Sequence, residues 1–312
     1  MKTFISVIII YFLLLLGSAY VSAQTPENGK VIITGVRFAY PLVEKWIEDY
    51  TTANPKANIV IEARTNTDPS SYDLLIEAYE QERSVRETRD YLSIARYALL
   101  PVANASSAFA GAYREKGLTS DLIKQIYFHD IYADKEKKQE IKAPYTVYTR
   151  LQKAGAPITF ARYFGYEQQN IGGKAISGAD EHLIKALIKD SIGISYSAPA
   201  LLYDRVTRKP IEGITILPVD LDDNGRVSEN ERITGDLDIV LEKLESDDEI
   251  KNIPIEHIHL SLSKVSNNPE ALKFLLWVIY HGQEDLHAYG YLKPDQKRFD
   301  AEKEKFEHRA SK

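Results

Sequence analysis

The chain has 312 residues and a formal net charge of -6, with its lysines and arginines spread among the acids. That spread argues against a nucleic-acid binder, which would concentrate positive charge on one face. There is no cysteine, so thiol chemistry, a disulfide framework and a lipid-modified cysteine are excluded, and the chain must stand on its own core, as one large domain or two lobes.

The first 23 residues, MKTFISVIIIYFLLLLGSAYVSA, carry one lysine, then an apolar run, then small residues. Val21 and Ala23 stand where a signal peptidase reads, so residues 1–23 are expected to be a signal peptide. The rival is a membrane anchor. The apolar run is roughly 16 residues against the about 20 that a bilayer needs, and no basic stop-transfer cluster follows it. The expected location is the periplasm or the cell exterior.

GKVIITG (29–35) reads as a strand ending at Gly35. YPLVEKWIEDYTTANP reads as a helix, with Leu42, Trp46 and Tyr50 every four residues and Pro41 near its start. NIVIEART is a second strand, and SSYDLLIEAYEQE (70–82) suggests a helix capped by Ser70 or Ser71. DYLSIARYALLPVAN is a strand run crossing into a second unit. LTSDLIKQIYF is a helix capped by Thr119, PYTVYTR a strand, ITFARYFGYE helical in part, and IGGKAISG a glycine-rich turn. ADEHLIKALIKD is an amphipathic helix, followed by strands in SIGISYSAPALL and EGITILPVD. GDLDIVLEKLES and NNPEALKFLLWVIYHGQEDLHAYGY supply further helices, the second capped by Asn268 with Pro269 at its first position. Strand and helix alternate, which implies parallel sheets covered on both faces. The sign-alternating runs DKEKKQE and KPDQKRFDAEKEKFEHRASK read as solvated helix faces.

GVRFAYPLVEKWIEDYTTANP, ALLPVANASSAFA, LTSDLIKQIYF, IKDSIGISYSAPALL and NPEALKFLLWVIYHGQEDLHAYGYLKP occur in the order seen in a known family. Over roughly 29–294 the chain resembles the periplasmic phosphate-binding-protein-like (PstS-like) substrate-binding proteins of ABC importers, as a divergent member. The resemblance implies an α/β, two-lobed periplasmic binding protein-like fold (type II), with parallel-sheet lobes and a hinge. It places residues 24–101 and 203–312 in the first lobe and 102–202 in the second. It implies a small-molecule or anion ligand, delivery to an ABC permease complex and a monomeric state; the mixed charge argues against nucleic acid, and the missing catalytic patterns against an enzyme.

Proteins of this family grip an oxyanion with helix N-termini and short hydroxyl side chains, because free N–H groups and the helix dipole point at the charge. After strand one the matching residues are Arg37, Phe38 and Ala39. Arg37 is either an anion ligand or a surface arginine, and Phe38 and Tyr40 either stack on an organic ligand or staple the helix start. The second position is sought after strand two, at Thr65, Asn66 and Ser71, residues that also suit an ordinary loop. Many relatives carry Gly-Ser-Gly-Thr-Arg at the start of a second-lobe helix. Here Gly155 stands, Ala156 replaces the serine, Pro157 the second glycine, Ile158 the threonine, and Thr159 the arginine. Arg150, Lys153 or Arg162 are candidate replacements for the missing charge. Ser177 either caps the next helix or faces the ligand. The departures at 156–159 weaken phosphate as the ligand, and a non-transport surface or structural protein with a degenerate cleft stays open as the alternative.

VDLDDNGRVSENE (219–231) raises a separate question. Asp220, Asp222 and Asn224 supply oxygens at positions one, three and five of a calcium loop. Gly225 permits the turn at six, Arg226 offers its carbonyl at seven, Val227 anchors position eight, and Glu231 closes the site at twelve. A single copy after a strand reads as a structural Ca2+ clip, not a regulatory helix pair. By the resemblance the loop, 220–231, would lie in the first lobe. His257 and His259 alternate in IEHIHLSLS and share a face, as half of a metal site or as polar residues on a solvated strand. Patterns such as H-E-x-x-H, G-x-S-x-G and a phosphate loop do not occur in the sequence.

Overall fold

The computed structural model describes residues 29–63, 68–79, 81–129, 141–247 and 249–311. The expected signal peptide, Thr65, Asn66 and the run 134–140 lie outside the described residues.

In chain order, β1 (Lys30–Gly35) leads through a 3-10 turn, Arg37–Ala39, into α1 (Tyr40–Ala53), which buries Leu42, Val43, Trp46 and Tyr50. The chain continues through β2 (Asn58–Ile61), β3 (Leu74–Glu77), α2 (Arg83–Arg86), β4 (Arg89–Ala98) and β5 (Leu100–Asn104). Next come α3 (Ala108–Tyr113), α4 (Ser120–Tyr127), β6 (Thr146–Arg150), α5 (Gly155–Tyr163), β7 (Lys174–Ile176) and α6 (Asp180–Lys189). The last elements are β8 (Gly193–Ser197), α7 (Pro199–Leu202), β9 (Ile214–Ile216), α8 (Leu237–Ser246), β10 (Ile255–Ser263), α9 (Pro269–His281) and α10 (Gln296–Ala310).

The caps explain several starts. The Thr119 hydroxyl accepts from Leu122 N, and the Asn268 side chain accepts from Glu270 N ahead of Pro269. The helix expected over 70–82 is instead a 3-10 turn, Pro69–Ser71, followed by strand β3. All four residues of β3 are buried, because it runs between β1 and β10. A strand covered on both faces reads as a continuous apolar run and is easily taken for a helix.

The strands form two five-stranded sheets, in the orders β2-β1-β3-β10-β4 and β7-β6-β8-β5-β9. β1 pairs parallel with β2 and β3, and β6 with β7 and β8. β10 is antiparallel to β3 and β4, and β5 to β8 and β9. Both sheets are therefore mixed, which corrects the expectation of parallel sheets. The antiparallel members include the strands that carry the chain across: β4 enters β5 through Leu99, and the return enters β10. The two crossings lie side by side, with Leu99 N donating to Pro254 O at 2.9 Å.

The return does not begin at 203. β9 pairs with β5 (Val102↔Ile216), and Val219 bridges Leu118, so this stretch belongs with the second sheet. The calcium-type loop thus follows a strand of the second sheet, not the first. A three-residue strand reads the same wherever it pairs, so local sequence did not encode its partner.

Candidate functional site between the two sheets

The first wall of the region where the two sheets meet is built at the carboxyl ends of β1 and β3. Gly35 has φ +132, and a Cβ there would stand 2.1 Å from Ile76 O, so only glycine lets the chain turn at that point. Beyond it Arg37 is exposed, while Phe38 and Ala39 are buried. The Phe38 ring lies 5.2 Å from Tyr97 and 6.4 Å from Tyr291, and the Tyr291 hydroxyl donates to Phe38 O at 2.7 Å. Phe38 is thus a core residue and does not present its ring to a cleft. At the end of β3, Ala78 is fully buried and its carbonyl accepts from the Tyr97 hydroxyl at 2.6 Å.

The second wall is the start of α5. Gly155, Ala156, Pro157, Ile158 and Thr159 are all buried. Gly155 abuts Ala78: a Cβ on Gly155 would sit 2.9 Å from both the Cβ and the carbonyl oxygen of Ala78. Thr159 Oγ1 lies 3.2 Å from the Tyr97 hydroxyl. Tyr97 therefore bridges the two walls, and burial pushes its hydroxyl far above the ordinary phenol range. Beside α5, Asp180 opens α6, which packs against the 3-10 turn Arg37–Ala39. Its Oδ1 is 3.0 Å from Nη1 of Arg150 at the end of β6. Burial pushes the Asp180 carboxyl up, and the Arg150 charge opposes that rise.

The structure brings Arg37, Phe38, Ala39, Gly155, Ala156 and Thr159 to this region. Two other expected ligand residues lie elsewhere. Ser71 donates to Asp68 O and lines a cavity of about 660 Å³ with Gly29, Lys30, Asp73 and Asn268, at the opposite end of β1. Ser177 is exposed, accepts from Gln152 Nε2 at 2.7 Å, and is not the cap of α6, whose N-cap is Ala179. Of the candidate replacement cations, Lys153 and Arg162 are exposed and only Arg150 is turned inward. Sequence reasoning missed Ala78, Tyr97 and Asp180. Misreading β3 as a helix hid Ala78, and Asp180 lay unremarked at the start of an amphipathic helix.

No family model and no curated protein matches the chain. Solved structures do resemble it. A phosphate ABC transporter substrate-binding protein, so named provisionally, from Clostridium perfringens with bound phosphate aligns with a TM-score of 0.62 at 14% identity, covering 86% of this chain and 100% of that one. An ABC-type phosphate transport receptor from Vibrio cholerae aligns with a TM-score of 0.56 at 12% identity, covering 85% and 100%. A possible phosphate binding protein from Planctomyces limnophilus aligns with a TM-score of 0.53 at 11% identity, covering 91% and 99%. The fold is that of two-lobed α/β periplasmic binding proteins.

The calcium-type loop closes on itself. Asn224 N and Gly225 N donate to the buried Asp220 carboxylate at 3.1 and 2.7 Å, and Asn224 N also reaches Asp222. Glu231 returns to the loop start: Oε1 accepts from Leu221 N at 2.6 Å, and Oε2 from Ser228 N at 2.6 Å. Oxygens of Asp220, Asp222 and Glu231 lie within 4.8 Å of one another, a cluster capable of holding a divalent cation. Val227 anchors the loop as expected, packing so closely that a Cβ on Gly117 would meet its Cγ2 at 2.3 Å. Asn252, just before β10, donates to Asp220 O at 2.8 Å and to Asp223 Oδ1 at 3.0 Å, while its own N–H donates to the Tyr163 hydroxyl.

His257 and His259 do share a face, with ring centroids 5.8 Å apart, but that face is not solvated. α10 covers it: Arg298 Nη2 lies 2.9 Å from His259 Nε2, and Glu302 accepts from Ser93 N. Ser93 Oγ lies 2.7 Å from His257 Nδ1. Burial, then the Arg298 and His257 charges, hold the His259 pKa down at about 3. Among the described residues neither histidine joins a cluster close enough to hold a metal.

Proposed function

We propose that this chain is an exported, extracytoplasmic solute-binding protein that takes a small anion or polar organic solute between its lobes and delivers it to an ABC-type importer. Binding is the activity, not catalysis. One observation carries the reading: two sheets joined at two adjacent crossings present α5, α6 and the turn after β1 to one another across a single interface. Ligands of two-lobed α/β proteins lie in such clefts, and hinge motion about a few residues opens them. Phosphate is the ligand named for the Clostridium perfringens structure. Here Phe38, Ala39, Ala156 and Pro157 stand where hydroxyl and glycine donors would serve a phosphate, so an organic or less charged solute fits better.

Calorimetry with phosphate, sulfate and small organic anions, paired with solution scattering, tests this. Heat from one solute, with a change in radius of gyration, supports it. Absence of heat from every anion, with unchanged scattering, favours the second reading, a surface or structural protein whose cleft has closed for good. The direct Gly155–Ala78 contact is what recommends that second reading.

We further propose that residues 220–231 bind Ca2+ as a structural clip, with Asp220, Asp222, Asn224, the Arg226 carbonyl and Glu231 as ligands. The all-oxygen donor set suits a hard cation, and Ca2+ tolerates an irregular loop better than Mg2+. Bound there, the ion would neutralise three crowded carboxylates.

A further inference from the structure

We propose that the second lobe carries its own anion: the Asp180 carboxylate fills, as a tethered group, the place that a small free carboxylate would otherwise occupy beside Arg150. Three observations meet at this point. Arg150 and Asp180 are both nearly buried, at 14% and 10% side-chain exposure. The pair is in charge contact at 3.0 Å through Arg150 Nη1, and Arg150 Nε is buried without a hydrogen-bond partner of its own. Asp180 is also the first residue of the ten-residue helix α6, where the dipole favours negative charge.

A guanidinium taken out of water needs a counter-charge, and the geometry supplies one from the same lobe. A second anion brought to Arg150 would meet Asp180 at close range, and like charges in a shared site exclude one another. The assignment goes beyond the solute-binding reading and holds whether or not the cleft admits a solute.

Removing the carboxylate should turn this self-filled position into a receptor. In Asp180→Ala the missing group has the size and charge of formate. Thermal shift and calorimetry with sodium formate, acetate and phosphate are run on the wild-type full chain, Asp180→Ala, Asp180→Ser and the double variant Arg150→Met/Asp180→Ala. The expected result is formate binding about tenfold or more tighter in Asp180→Ala and Asp180→Ser than in the wild type, abolished when Arg150 is also replaced. Serine keeps a group suited to a helix start, so it guards against a folding failure of the alanine variant. Folded variants that respond to formate no more than the wild type would overturn the proposal, as would a response that persists without Arg150.

Discussion

Gly155→Ala is the sharpest probe of whether the lobes move. The added Cβ would lie 2.9 Å from the Cβ and the carbonyl oxygen of Ala78 and 3.2 Å from its carbonyl carbon. Carbon contacts relax at about 3.5–4.0 Å, so the two walls must separate by roughly 0.5–1 Å at this point. Overpacking of this kind costs about 1–3 kcal/mol. Alanine also favours the helix over glycine by roughly 0.5–1 kcal/mol, but that gain is the same whether the lobes touch or not. The net effect therefore falls on the closed arrangement alone, and shifts the closed-to-open ratio by about 5- to 150-fold. Small-angle scattering, with a fluorophore pair across the cleft, should report a larger radius of gyration and a longer interlobe distance in the variant. Replacing Ala78 by glycine in the same background should restore part of the closure, since it removes one of the contacting atoms. If Gly155→Ala lowers the melting temperature while scattering and interlobe distance stay at their wild-type values, the lobes form one rigid body and the hinge argument fails.

Three further outcomes are expected. Calcium at a hundredfold above its Kd should stabilise the fold by about 2.7 kcal/mol, or roughly 4–5 °C in Tm at this size, and Asp220→Ala should abolish the shift; identical melting curves with calcium and with chelator would refute the site. His259 is a base whose folded pKa is held at about 3 against 6.5 unfolded, so its neutral form favours folding above pH 6.5 and that contribution drains away as pH falls toward 3. Unfolding free energies from urea titration should thus decline by roughly 1.4 kcal/mol per pH unit across that window, and His259→Asn should flatten the slope; an unaltered slope would show that other groups set it. Arg150→Met strands the Asp180 charge and should cost about 3–5 kcal/mol, whereas Arg150→Met with Asp180→Leu should recover most of that loss; a double variant no more stable than the single would mean the pair is not coupled.

Where chemistry is local, the sequence was legible. Thr119 and Asn268 fix helix starts through hydrogen bonds made within a few residues, Pro41 and Pro269 through a fixed φ, and each start stands where it was expected. β3 failed because burial on both faces erases the alternation that marks a strand. The sheet partner of β9 was out of reach, because Ile214–Ile216 carries no signal of whether β5 or a first-lobe strand lies beside it. The histidine face misled for a related reason. α10 is sign-alternating and so read as solvated, yet Phe299, Glu302 and Phe306 are buried and Arg298 reaches His259. In the candidate site, the glycine at 155 and the start of α5 were readable from pattern, while Asp180 and Tyr97 gain their meaning only when the two sheets meet.

The residues that depart from an oxyanion cradle also explain why the walls touch. Ala156 and Pro157 contribute no hydroxyl at the start of α5, and Ala78 offers only a methyl group and a carbonyl already taken by Tyr97. Surfaces of this kind gain by leaving water together, where hydroxyl-lined walls would keep hydration or wait for a ligand. A preference for the closed arrangement then has a consequence for affinity. A solute that enters only the open form binds with an apparent Kd raised by the reciprocal of the open fraction, so a closed preference of about a hundredfold weakens apparent affinity by about two orders of magnitude. Gly155→Ala moves that fraction without touching Arg37, Arg150 or Thr159. A solute that binds the wild type weakly should therefore bind the variant more tightly, whereas a cleft that has lost its ligand altogether will bind none in either.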